Sequence, residues 1–201
     1  MQKAEYRYYE ISQDMPVLVL TGEKWETVYG MDNMHFHNYL EIGYCHYGKG
    51  TVQLAERELT YDAGTITFIP RNVPHRTCPD PEKADEKQKW EYLFVDSDTI
   101  LKKCFADAPE KYTKLKKDLE QKVFVLDQKS NKRAVELMQM IIEEEQCKRS
   151  NYKYAILTFG LNLLLFFDRL DQKETEEKPL SDTMDYIRKL INYMELHYME
   201  N

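Results

Sequence analysis

Three histidines and one glutamate form the most chemically suggestive pattern in this 201-residue sequence. His35, His37 and Glu41 occur in the segment GMDNMHFHNYLEIGYCHYG. Because side chains alternate along a strand, these three share parity and can face the same side. A second segment, GTITFIPRNVPH, ends at His75, which two prolines aim back toward the first segment. Imidazole and carboxylate groups suit a borderline divalent metal, or they can act as hydrogen-bonding groups of a ligand pocket.

Five aromatic residues in the same region could stack against a sugar ring. They are Trp25, Tyr39, Tyr47, Trp90 and Tyr92. Aromatic side chains in a small barrel commonly form its core instead, so both roles are open at this point. His46 has the opposite parity to Cys45, and we expect it to face outward.

The N-terminal part of the chain, residues 1–96, has the texture of a β protein. Short runs rich in β-branched and aromatic residues alternate with turn residues from Tyr6 to about Val95. The predicted strands are Val17–Leu20, Trp25–Tyr29, Tyr39–Tyr47, Thr51–Leu54, Thr65–Ile69 and Trp90–Val95. Short strands at regular spacing predict a sandwich or a barrel.

Residues 97–172 have helical periodicity instead. Ser97 or Asp98 can cap a short helix, and Pro109 suits the first turn of another. Two longer helices follow, one over Ala134–Ile142 and one over Tyr154–Leu170, joined by a short polar turn that predicts an antiparallel hairpin. The second is apolar on more than one side, so it needs two apolar neighbours. One is its partner helix; the other is a second copy of the protein or the β-domain.

The last thirty residues predict a linker and one more helix. Residues 173–180 are charged and poor in apolar residues. Ser181 then caps a helix with an apolar stripe made of Met184, Ile187, Leu190, Ile191 and Met194. No later segment can cover this stripe, so we expect a missing partner.

Composition narrows the functional classes. The formal net charge of −7 disfavours nucleic acid as a direct partner, because DNA-binding surfaces need clustered positive charge. The four cysteines lie far apart without a CxxC pair, which argues against a cysteine-ligated zinc site and a disulfide scaffold. With no signal peptide and no apolar run of about 20 residues, we expect a cytoplasmic protein without a membrane partner.

The two chemical segments resemble the two cupin motifs, HxH-x3-E-x6-G and G-x5-P-x4-H. The second departs from the usual pattern, because Asn72 stands where glycine is common and Pro79 where asparagine is expected. The form AGTITFIPRNVPHR is similar to sensor domains of AraC-type transcription regulators. The helical hairpin matches that family as well, and the tail IRKLINYMELHYMEN resembles the first helix of its helix-turn-helix region.

This resemblance implies a mainly β cupin fold, a double-stranded β-helix or jelly-roll barrel, followed by the antiparallel helical hairpin. It implies a non-enzymatic sensor that binds a small effector, often a sugar, in the barrel and forms a homodimer through its helices. Operator DNA would be contacted only by recognition helices, which we expect to be missing after residues 181–201. No cofactor is required, although the three-His, one-Glu set could hold Zn, Ni, Mn or Fe.

Two other functions fit part of the sequence. A metal-dependent cupin enzyme, such as a dioxygenase or isomerase, would use the same four ligands but needs neither the hairpin nor the last helix. A free-standing sugar-binding cupin would have no role on DNA.

Overall fold

The computed structural model describes residues 4–22, 26–27, 33–54, 57–83, 86–127, 129–170 and 182–197. The strands are β1 (Glu5–Arg7), β2 (Val17–Leu20), β3 (Glu26–Thr27), β4 (His35–His37), β5 (Leu40–Tyr47), β6 (Gly50–Leu54), β7 (Arg57–Tyr61), β8 (Ile66–Ile69), β9 (His75–Pro79), β10 (Gln88–Val95) and β11 (Phe124–Leu126). The helices are α1 (Ser97–Cys104), α2 (Pro109–Glu120), α3 (Lys132–Cys147), α4 (Tyr152–Arg169) and α5 (Asp182–His197). Trp25, the predicted linker at 173–180 and the predicted cap Ser181 lie outside the described residues.

The strands form two sheets. One has the order β1-β4-β9-β6-β7, and the other has the order β11-β8-β5-β10-β2, with β3 also paired to β10. Only β1 and β4 pair in parallel among the described strands; the remaining pairs are antiparallel. The inner faces of the sheets contact each other, since His37 on β4 lies 3.2 Å from Glu41 on β5. This architecture agrees with the predicted sandwich or barrel.

The six-stranded sheet is buried on both faces, because helices cover the face that points away from the other sheet. Ile42, Ile66 and Leu93 alternate onto this outer face and pack in one core with the helices. Phe68 of β8 meets Phe167 of α4 with ring centroids 4.4 Å apart. Each large apolar side chain buried in this way contributes about 1.5–3 kcal/mol, so the helices stabilise the sheet that carries Glu41.

Two features of the helical region differ from the sequence prediction: the cap of α1 and an additional strand. The cap of α1 is Asp96, which accepts hydrogen bonds from the Thr99 amide at 3.0 Å and the Thr99 hydroxyl at 2.7 Å. The predicted cap at Ser97 or Asp98 is therefore wrong, because the helix begins directly where β10 ends. The second feature is β11, which lies between helices and pairs with β8. Three residues are too few to show a strand period.

The structure agrees with the remaining predictions for helices α2, α3 and α4. Pro109 occupies the first turn of α2, as predicted. The two predicted long helices are α3 and α4, which contact each other along their length. Residues 148–151 join them, and Lys148 and Asn151 adopt left-handed backbone conformations with φ of 48° and 66°. Within the described residues, no helix is both long and apolar enough to cross a membrane.

Candidate functional site

Four buried side chains converge between the sheets: His35 and His37 of β4, His75 of β9 and Glu41 of β5. Each offers one ligand atom, and these atoms all lie within 4.8 Å of one another. His35 is the register partner of His75 in one sheet, while Glu41 approaches from the other sheet. The predicted placement of His35, His37 and Glu41 along a single strand is wrong, because the chain leaves β4 after His37 and enters the opposite sheet at residue 40.

A backbone carbonyl orients each imidazole ring. The Nδ1 distances are 2.8 Å from His35 to Asn33 O, 2.6 Å from His37 to Tyr39 O and 2.8 Å from His75 to Val73 O. A carbonyl oxygen only accepts hydrogen bonds, so each Nδ1 carries the hydrogen and donates it. In the neutral rings the lone pair is therefore on Nε2, which is the arrangement found in histidines that bind metals.

The charge at the centre of the site comes from Glu41. Its Oε2 lies 3.2 Å from His37 Nε2, and its Oε1 lies 3.5 Å from His75 Nε2. Burial opposes ionisation of Glu41, but the positive charge and hydrogen bonds that His75 and His37 offer when they are protonated outweigh it and hold the pKa of Glu41 well below its usual value. A cation beside Glu41 therefore stabilises its ionised form.

When the His37 ring is neutral, the lone pair on its Nε2 points toward this carboxylate. Burial lowers the pKa of His37, although the hydrogen bond and charge of Glu41 act in the opposite direction. A lone pair and a carboxylate oxygen 3.2 Å apart repel each other unless a cation lies between them. The geometry therefore favours a bound cation, either a proton on His37 or a metal ion.

The four ligand atoms lie slightly farther apart than the ligands of a bound metal ion, so binding would draw them together. Nitrogen and oxygen ligands lie about 2.0–2.2 Å from a zinc ion, so two of them can be at most about 4.4 Å apart. The observed spread of up to 4.8 Å exceeds that limit by only a few tenths of an ångström. Three imidazoles and one carboxylate are also a donor set suited to zinc, nickel, manganese or iron.

An aromatic wall beside His37 was missed by sequence reasoning. Phe94 meets the His37 ring edge-on at 4.9 Å, and Tyr9 stacks on Phe94 at 3.9 Å. Asn38 fixes Tyr9 by accepting a hydrogen bond from its amide at 3.0 Å and donating one to its carbonyl at 2.9 Å. Phe94 has the parity of Trp90 along β10, so alternation could have found it. No local pattern places Tyr9 here.

The aromatic residues predicted to stack on a ligand lie in several environments. Trp90 belongs to the inner core and meets Tyr61 edge-on at 4.9 Å. Tyr92 stacks on Trp90 at 5.9 Å and contacts the backbone of Gly43, where an added Cβ would lie 3.1 Å from the ring. These contacts are those of core residues.

Of the remaining two aromatic residues, Tyr39 contacts the site through its backbone and Tyr47 lies at the surface. Tyr47 is 40% exposed at the end of β5. Tyr39 contributes its carbonyl to the His37 hydrogen bond, while burial of its half-buried side chain raises the pKa of the phenol. His46 pairs with Glu91 at 2.7 Å on the opposite face of the sheet from Glu41, so it lies away from the cluster as expected.

Two facing sheets with a buried imidazole–carboxylate cluster between them define a domain of cupin-like β fold with a candidate ligand site. Residues 18–112 match the family model described as the AraC-like ligand binding domain. The match covers 95 of the 201 residues, and over this segment the chain is similar to the AraC-type ligand-binding domains. No curated protein matches the sequence.

Two solved structures of ToxT are similar to this chain in fold. Wild-type ToxT from Vibrio cholerae strain SCE256, bound to an unsaturated fatty acid, is similar with a TM-score of 0.50 at 11% identity, over 89% of this chain and 62% of ToxT. An apo variant of ToxT gives a TM-score of 0.50 at 13% identity, over 89% and 63% of the two chains. Bacillus subtilis oxalate decarboxylase has a TM-score of 0.30 at 21% identity, over 35% and 19%. This chain thus spans less than two thirds of the ToxT chain, and the likeness concerns the fold alone.

Proposed function

We propose that this chain is the effector-sensing and dimerising part of a bacterial AraC-type transcription regulator. A small metabolite binds in the cupin-like domain, and its binding changes how the domain presents a DNA-binding region. The observation that carries the proposal is the closed cluster of His35, His37, Glu41 and His75 between the two sheets, inside the segment that matches the ligand-binding family.

The cluster is proposed to hold a divalent metal. His35, His37 and His75 would supply neutral imidazole ligands, and Glu41 would supply one anionic oxygen. When bound, such an ion supplies a Lewis-acidic centre that can take an oxygen atom of the effector. The chain's own residues orient the rings through their Nδ1 hydrogen bonds, while Phe94 and Tyr9 cover one side and exclude water.

A sugar-like effector is the first candidate. Hydroxyl oxygens can bind a metal or accept and donate hydrogen bonds, and an aromatic wall such as Phe94 and Tyr9 suits the apolar face of a sugar ring. Fatty acids belong in the same test, because ToxT has been solved with an unsaturated fatty acid bound.

The helices are proposed to join two copies of the chain. On α4, Ile156, Leu163 and Phe167 are buried in the core beneath the sheet, whereas Leu157, Leu161 and Leu165 are only half-buried. The β-domain therefore covers one side of α4, and the three half-buried leucines form an apolar stripe that packs at the margin of the core and stays partly exposed. An antiparallel hairpin of α3 and α4 packed against its counterpart in a second copy would cover it. Residues 181–201 are proposed to begin the DNA-binding region.

The experiment is a thermal-shift screen of sugars, small organic acids and fatty acids, with and without Zn²⁺ or Mn²⁺. A ligand at about 100 times its dissociation constant should stabilise the wild-type fold by about 2.7 kcal/mol. His37→Ala should lose this shift, whereas His46→Ala, on the outer face of the sheet that carries Glu41, should keep it. A ligand that stabilises both variants equally would show that it binds elsewhere.

A metal-dependent enzyme of cupin fold is the second candidate, because the complete set of four ligands also suits catalysis. Elemental analysis of protein purified without an affinity tag distinguishes the two. Stoichiometric iron or manganese together with turnover of a substrate would favour the enzyme. An effector that shifts stability without being consumed would favour the sensor.

A further inference from the structure

Asn72 connects the histidine–glutamate site to the last helix. Its backbone amide donates to the His37 carbonyl at 2.8 Å, and the carbonyl of the next residue, Val73, accepts from His75 Nδ1 at 2.8 Å. Its side-chain amide donates to Asn192 Oδ1 of α5 at 2.7 Å. One fully buried residue thus lies between two ligands of the site and a helix that is 120 positions later in the chain.

The backbone conformation of Asn72 explains why this residue can contact both the histidine–glutamate site and α5. Its φ is 59°, in the left-handed region, where glycine and asparagine are the residues tolerated best. Glycine would permit the same turn but has no side chain. Asparagine keeps the turn and adds an amide group that reaches α5.

The contact of α5 with the domain is polar. Asn192 Oδ1 also accepts from Arg71 Nε at 3.1 Å, and one turn earlier the buried Arg188 pairs with Glu120 of α2 at 3.2 Å. The apolar side chains of Leu190 and Met194 remain 48% and 60% exposed. Among the side chains of α5 that the structure describes, the contacts with the domain are therefore hydrogen bonds and one ion pair, and Leu190 and Met194 add little apolar burial. Each neutral hydrogen bond contributes only about 0.5–1.5 kcal/mol of net free energy, so docking of α5 through Asn192 can be reversible.

We infer that α5 is a positioning element of the histidine–glutamate site. Asn192 holds Arg71 and Asn72, and Asn72 in turn holds the backbone that orients His37 and His75. Docking of α5 and occupation of the site therefore stabilise each other, as linkage requires of coupled equilibria. The inference rests on the proposed function only in so far as the site takes a ligand.

The test uses Zn²⁺ as the probe and the 201-residue chain. Asn192→Leu removes the acceptor, and Asn72→Gly removes the donor while keeping the turn. Each should weaken Zn²⁺ binding, measured by titration calorimetry, by about three- to tenfold, the scale of one or two hydrogen bonds. Asn192→Asp keeps an oxygen acceptor for both donors and should bind Zn²⁺ like the wild type. Tyr186→Leu, an exposed position on the same helix, is the matched control.

Hydrogen exchange of the amides of residues 186–194 reports docking of α5 directly. Exchange should be faster in Asn192→Leu than in the wild type, and Zn²⁺ should slow it in the wild type. If Asn192→Leu loses this protection but binds Zn²⁺ as tightly as the wild type, the inference is overturned. Unchanged protection in Asn192→Leu would overturn it as well, because Asn192 would then not dock the helix.

A second readout separates this inference from the proposed metal site. If the wild type binds no Zn²⁺, the metal proposal fails, and the Nδ1 protons of His37 and His75 are followed by NMR without metal. Faster exchange of these protons in Asn192→Leu, restored in Asn192→Asp, would support the role of α5. Identical exchange in all three proteins would overturn it.

Discussion

His37 and Glu41 are four positions apart in the chain, yet they face each other from opposite sheets, with His37 Nε2 3.2 Å from Glu41 Oε2. The chain crosses between the sheets at Asn38 and Tyr39. Both crossing residues also build the site, since the Tyr39 carbonyl orients His37 and the Asn38 side chain fixes Tyr9. The five-residue segment from His37 to Glu41 therefore supplies two ligands, one orienting group and the anchor of the aromatic wall.

Removing the charge of Glu41 tests the metal site. Glu41→Gln should weaken Zn²⁺ binding by about 100-fold or more, because even partners outside the ligand shell cost 10–100-fold. Titration calorimetry measures the change. Glu91→Gln is the matched control, since Glu91 pairs with His46 on the other face of the same sheet. Equal Zn²⁺ affinity in the two variants would place the metal elsewhere.

Release of the N-terminal segment tests the anchor of the aromatic wall. Asn38→Ala removes both hydrogen bonds to the Tyr9 backbone and should lower the free energy of unfolding by about 1–2 kcal/mol. The Tyr9 amide should also exchange faster with solvent. Asn162→Ala, which removes one exposed hydrogen bond within α4, should change stability much less. Unaltered exchange at Tyr9 in Asn38→Ala would mean that other contacts hold the segment.

A charge on the half-buried stripe of α4 tests self-association. Sedimentation should show a dimer of the wild-type chain, and Leu161→Glu should shift it toward monomer because an unpaired charge would be buried between the two copies. Thr60→Glu, on an exposed position of β7, should leave the dimer intact. A wild type that stays monomeric at high concentration contradicts the proposed interface.

At acid pH, the contacts of the Asp98 carboxylate that join α1 to α2 should be lost. Asp98 contacts Lys116 at 2.6 Å, Lys102 at 2.5 Å and the Tyr112 hydroxyl at 2.5 Å. Burial alone would raise the pKa of Asp98, but hydrogen bonds from Lys102, Lys116 and Tyr112 hold it well below its usual value. A lowered folded-state pKa stabilises the fold above the unfolded value of about 3.9, and this contribution is lost as the pH falls further.

Asp98→Asn should therefore be less stable than the wild type by about 0.5–1 kcal/mol at pH 7, the scale of partly exposed ion pairs. The difference should shrink as the pH falls below about 4. Urea denaturation at several pH values measures it. A difference that is the same at pH 7 and at pH 2.5 would show that the carboxylate charge is not its source.

Local pattern was sufficient for much of the fold. The strand predicted at Val17–Leu20 has the observed bounds, and those at Thr51–Leu54 and Thr65–Ile69 differ from β6 and β8 by one residue at one end. Alternating apolar residues report burial directly, so such strands are visible without tertiary information. Short strands such as β1 and β11 were missed, because three residues acquire a strand conformation only from their partners.

The sequence alone determined the chemistry of the candidate site, because the types of the ligand residues and their spacing within two short segments can be read directly from it. It named His35, His37, Glu41 and His75 as a group and excluded His46. The tertiary structure decided which surfaces meet. That Glu41 crosses to the opposite sheet, that Tyr9 covers His37, and that Asn192 reaches Asn72 all depend on contacts between distant segments, which no local periodicity encodes.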